Sequence, residues 1–170
     1  MTFNNEEELV RYASKGLVTA VEHTVTEFQK ENSYSIRNIV YNSYPPSWYN
    51  RTNEFRNAWE TTTSSLGKRV EGEMYYEAGN LSEGDEEDGI HVSVVDGSSQ
   101  VQNMPDIIYQ GAMGCIQRPT KRDAWEDLDK KLTKTRVRMI FEAGLNKSGI
   151  KGDFTYPNFP GEYALARNPH

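Results

Sequence analysis

The chain has 170 residues and a formal net charge of −6, with a pI near 5.2. That length suits one domain, or one domain with a tail, and can cover about 68–70% of the unfolded surface. The acidic balance argues against gripping DNA by its phosphates, which takes Lys and Arg to displace counterions.

Cys115 is the single cysteine. An internal disulfide is therefore excluded, which suits a reducing cytoplasm, and its small-residue surroundings in "GAMGC" read as a buried packing position. No run approaches the ~18 apolar residues of a membrane span. The acidic start, "MTFNNEEELVRYASKG", lacks the apolar core of a secretory leader, so none is expected.

Leu9, Ala13, Leu17, Val21, Val25 and Phe28 recur at spacings of four and three, which predicts an amphipathic helix over roughly Glu6–Lys30. Asn4 or Asn5 can cap it, and Glu6, Glu7 and Glu8 suit the positive end of its dipole. Asn32 and Ser33 are expected to close it. A linker over 33–54 follows, containing "YNSYPPSWYNRTNEF", where three tyrosines and a tryptophan surround Pro45–Pro46. The two prolines fix φ and force extended geometry before them, so this stretch reads as a stiff aromatic joint.

From Phe55 to Tyr109 the pattern turns β-like. "EFRNAWETTTSS", "LGKRVEGEMYYEA" (with Val70, Met74 and Tyr76 on one face), "GIHVSVVDG" and Ile107–Tyr109 are candidate strands. Between the second and third lies an acidic, glycine-flanked loop holding Glu83, Asp85, Glu86, Glu87 and Asp88. Its order does not fit a calcium-binding EF-hand loop. A last helix is expected after Pro119, with Thr120 as cap, Trp125, Leu128, Leu132, Met139 and Ala143 on one stripe, and Gly144 or Gly149 as terminator. Residues 150–170 carry Phe154, Tyr156, Phe159 and Tyr163 without a period, and read as an extended C-terminal arm anchored on a neighbour. The expected architecture is α+β: residues 1–149 form one domain in which an antiparallel sheet of three to four strands packs against an N-terminal and a C-terminal helix.

Catalytic signatures are absent. His23, His91 and His170 fall in no metal-ligand spacing, and the sequence has no nucleophile elbow, P-loop or dinucleotide fingerprint. No cofactor, no metal and no enzymatic activity are expected. The basic run Lys130–Arg138 is interleaved with acids and reads first as a solvated helix face, and otherwise as a patch for an acidic partner.

Two strings carry a resemblance. "YPPSWYNRTNEFRNAW" resembles a "Y-x-P-x-x-Y-x-R-T" motif that follows the first helix in small structural proteins of tailed bacteriophages, through Tyr44, Pro46, Tyr49, Arg51, Thr52, Phe55 and Ala58. "DIIYQGAMGCIQRPTKRDAW" is similar to the same proteins' "Y-x-x-G" strand and the Arg-Pro segment opening their last helix. The family is the tail-component family, which includes tail-completion and neck proteins and is related to tail terminators. By element order the likeness covers roughly residues 5–147; Pro45, the acidic loop and the arm depart from it.

The resemblance implies a virion protein assembled in the host cytoplasm: a ring-forming, commonly hexameric subunit at the head–tail junction. Its partners would be copies of itself and neighbouring neck, connector or tail-tube proteins, and DNA would pass without being held. Tyr44, Trp48, Tyr49 and Arg51, with the aromatics of the arm, become candidate interface residues, because Tyr, Trp and Arg dominate interface hot spots. The acidic loop becomes a candidate channel-facing or partner-facing element. Competing readings are a small acidic phage-encoded binding or inhibitor protein that imitates DNA, and a metal-dependent nuclease using the acidic loop.

Overall fold

Asn5 opens the first helix: its side chain accepts from the Glu8 amide at 2.8 Å, while the Glu8 carboxylate accepts from the Asn4 amide at 2.9 Å. In the computed structural model, which describes residues 2–42, 53–66, 69–80 and 123–151, this helix, α1, spans Glu6–Ser35. At 30 residues it is about 45 Å long.

The expected stop at Asn32–Ser33 is overturned. α1 runs through both residues and continues as a π-helical segment over Ile36–Tyr41, marked by the i→i+5 bond from the Asn42 amide to the Arg37 carbonyl at 2.9 Å. Thus 33–41 of the expected linker are helical. The reason is tertiary. Asn32, Ser35, Ile36 and Val40 are buried, and they extend the stripe of Val25 and Phe28 at the same spacings. Packing along that stripe outweighs the weak helix preference of Asn and Ser.

The chain re-enters the described region at Asn53, whose φ of 62° is left-handed, a conformation Asn tolerates better than most residues. The Asn53 carbonyl accepts from the amides of Arg56 and Asn57, so the beginning of the expected first strand is instead the helical turn α2, Glu54–Asn57. Strands β1, Trp59–Leu66, and β2, Arg69–Tyr76, then pair antiparallel, with Trp59 opposite Tyr76 and Thr63 opposite Gly72. Period-2 alternation puts Val70, Gly72, Met74 and Tyr76 on the face toward α1, as their spacing predicts. A Cβ on Gly72 would stand 2.5 Å from Val21 Cγ1 and 2.6 Å from Val25 Cγ1, so the missing side chain is what lets the ribbon lie on the helix. A single turn of 3₁₀-helix, Ala78–Asn80, follows. The third and fourth expected strands lie outside the described residues.

The last helix is two helices. α3, Ala124–Lys131, is capped by Asp123, and α4, Lys134–Lys147, by Thr133. Thr133 is extended, at ψ 154°, and the break resets the helical phase. Leu128, Leu132 and Val137 therefore share one cluster with Phe28, Met74, Trp125 and Ile140. Met139, expected on the core stripe, is 63% exposed instead, and Ala143 is exposed too. α4 meets α1 backbone to backbone: a Cβ on Gly144 would come within 2.7 Å of the Ala20 Cα. Gly149, at φ 87°, ends α4, and the Ile150 amide returns to the Leu145 carbonyl at 3.0 Å, as in a Schellman stop. The result is an α+β fold, with the ribbon, α3 and α4 gathered along α1.

Candidate functional site

The joint leaves the described body after Asn42 and returns at Asn53, and both ends are rooted in one core. Ile36 and Val40 from the π-helical segment pack with Phe55, Trp59 and Ala124, and Ile39, Tyr41, Met74, Tyr76 and Trp125 lie against them. The rings interlock. Trp59 meets Trp125 edge-on, with centroids 5.2 Å apart at 89°, and Phe55 at 6.3 Å and 78°. Tyr76 sits 5.6 Å from Trp59 and 5.9 Å from Phe55. Such pairs add about 0.5–1.5 kcal/mol beyond area burial. Burial pushes the Tyr76 phenol far above its ordinary range, so the ring stays neutral.

A polar seam runs beside this cluster, where α3 crosses α1. Lys131 Nζ donates to the fully buried Ser35 Oγ at 3.1 Å and lies 2.6 Å from Asp127 Oδ2. Burial alone would raise the Asp127 carboxyl; hydrogen bonds from Lys131 and Ser35 outweigh it and hold the pKa below the ordinary value. One turn earlier, Asn32 is fully buried, and among the described residues neither its amide nitrogen nor its oxygen has a hydrogen-bond partner; the Trp59 indole N–H also lacks one there. Gln29 donates to the Trp59 carbonyl, tying α1 to the start of β1.

The basic run is largely neutralised within the chain. Lys130 pairs with Glu126 and Arg138 with Glu142, each at 2.8 Å, and Arg136 pairs with Glu31. The arrangement supports the solvated-face reading. On the far side of α1, burial and the neighbouring Lys147 ammonium lower the pKa of His23. No group of His, Cys, Asp and Glu among the described residues could hold a metal ion, and no described helix is long and apolar enough to cross a membrane.

Every interface residue expected from the sequence lies outside the described residues: Tyr44, Trp48, Tyr49 and Arg51 in the joint, Glu83 and Asp85–Asp88 in the acidic loop, and Phe154, Tyr156, Phe159 and Tyr163 in the arm. The structure instead supplies the platform on which the joint stands. Sequence reasoning missed the polar seam by reading Asn32 and Ser33 as the end of the helix. The signal was present, because Val25, Phe28, Asn32, Ile36 and Val40 continue one helical stripe.

The described residues thus form a body of helices and one β-ribbon around a buried aromatic platform. The chain belongs to the YomN family, which matches residues 5–147 and is phage-associated. No curated protein and no solved structure matches it.

Proposed function

We propose that this phage-encoded protein is a structural virion subunit that forms a closed ring at the head–tail junction, as a tail-completion, terminator or neck component. One observation carries the reading: residues on both sides of the Pro45–Pro46 joint, Val40 and Tyr41 before it and Phe55 and Trp59 after it, share one aromatic core. A loop anchored at both ends, stiffened by two prolines and carrying Trp48, Tyr49 and Arg51, loses little entropy when it meets a neighbour. A ring also needs a heterologous contact that closes reproducibly. The net charge of −6 suits a conduit that does not hold DNA.

Native mass spectrometry of the purified 19.4 kDa chain, with immunolabelling of phage particles, tests this. A closed oligomer and label at the head–tail junction are expected. A monomer at all concentrations, absent from particles, would remove the reading. Replacing Trp48 with Ala should weaken assembly by about 2 kcal/mol or more if it is a hot spot.

A second reading, an acidic DNA-imitating inhibitor, is favoured by the outer face of the ribbon. Glu71 and Glu73 share that face with Glu60, and alternate residues on a strand lie about 6.8 Å apart. Competition with duplex DNA for a basic host protein, by a monomeric chain, would select it.

A further inference from the structure

The two ends of α1 are dressed differently. Its first buried residue is Gly16, so the helix begins as an overhang of about ten residues, a length marginal for an unsupported helix. Leu9 and Val10 on this overhang, and Leu17 just beyond it, are 46%, 49% and 37% exposed. With Ala13 they fall in an arc about 100° wide, an apolar stripe running along the helix. The C-terminal end of α4 arrives at the edge of that stripe. Gly149 is held by the Tyr12 hydroxyl at 3.3 Å, and Ile150 lies on Gly16, where a Cβ would stand 2.1 Å from its Cδ1. Beyond Lys151 nineteen residues remain, with Phe154, Tyr156, Phe159 and Tyr163 among them. They lie past the family match, which ends at residue 147.

We propose that the C-terminal arm of this chain, from Phe154 onward, docks on the Leu9, Val10, Ala13 and Leu17 stripe of its own α1 and straps the overhang to the body. Four extended residues span about 13 Å, enough to carry Phe154 from Ile150 along the stripe, whose ends are about 12 Å apart. So short a tether gives an effective concentration in the millimolar range, which a free partner rarely reaches. A second α1 laid parallel would bring Glu6, Glu7 and Glu8 of both copies together. The inference does not rest on the ring reading.

Hydrogen exchange tests it on the full chain and on a chain ending at Lys151. Amides of residues 9–17 should exchange about tenfold faster without the arm, while those of 20–35 stay unchanged. A full-length chain with Phe154→Ser, Tyr156→Ser and Phe159→Ser should behave like the truncation. In a Cys115→Ser background, Ala13→Cys with Phe154→Cys should form a disulfide that runs as a monomer. Unchanged exchange in both arm variants would overturn the inference, and so would a disulfide found only in dimers, which would place the arm on a second copy.

Discussion

The C-terminal half of α1 is enclosed and its N-terminal half is not, although both are read from the same helical period. From Ala20 to Val40 the helix lies against the β1–β2 ribbon, α3 and α4, and it buries even the polar side chains of Asn32 and Ser35. From Glu6 to Lys15 it buries nothing fully, although Leu9 and Ala13 sit on the same stripe as Val25. An apolar period states which face of a helix wants cover. It does not state where along the helix the cover ends, because that depends on partners distant in sequence.

The largest break in this contrast should come from the aromatic platform. Trp59→Ala removes the ring that touches Phe55, Tyr76 and Trp125 and should cost about 3–5 kcal/mol in urea unfolding. Leu9→Ala, at the open end, should cost less than about 0.5 kcal/mol in the chain ending at Lys151. Equal losses there would mean that the two halves do not differ.

Two glycines sharpen the comparison at smaller scale. At Gly144 a new methyl meets the Ala20 backbone, which cannot swing aside, so Gly144→Ala should destabilise by about 1–3 kcal/mol. At Gly16 the obstacles are the side chains of Ile150 and Ser148, which can rotate, and Ala gains about 1 kcal/mol in helix propensity. Gly16→Ala should therefore leave the thermal midpoint nearly unchanged.

Asn32→Leu replaces a buried amide that has no partner among the described residues with an apolar group of similar size. It should stabilise by about 1–2 kcal/mol, measured by denaturant midpoint. A loss of stability would reveal that the amide is satisfied, as by a bound water.

The one pH-dependent effect concerns Asp127. Its folded pKa is lowered, so its contribution is complete above the ordinary carboxylate value of 3.8 and is lost as pH falls through the lower folded value. Asp127→Asn should flatten the acid limb of the stability curve by about 1 kcal/mol or less, with little change in shape at neutral pH. An unchanged acid limb would show that the seam does not depend on this charge.

Much of the fold was legible. The cap at Asn5, the face shared by Val70, Met74 and Tyr76, and the stop at Gly149 each follow from rules acting within a few residues. The errors share one cause. Asn32 and Ser33 looked like a terminator because local chemistry disfavours helix there, yet burial against α3 carried the helix through. Met139 looked like core because one helix was assumed, and the extended Thr133 reset the phase. The seam of Ser35, Asp127 and Lys131 joins positions 96 apart in sequence, a pairing that no local pattern encodes.

By itself the sequence determined the class of fold, the acidic balance and the faces that seek burial, because composition and side-chain period act locally. Only the tertiary structure decided how far α1 is covered, where the last helix breaks, and that both ends of the joint stand on one aromatic core. Those outcomes depend on which distant surfaces meet, and on glycines at 72 and 144 that let them approach.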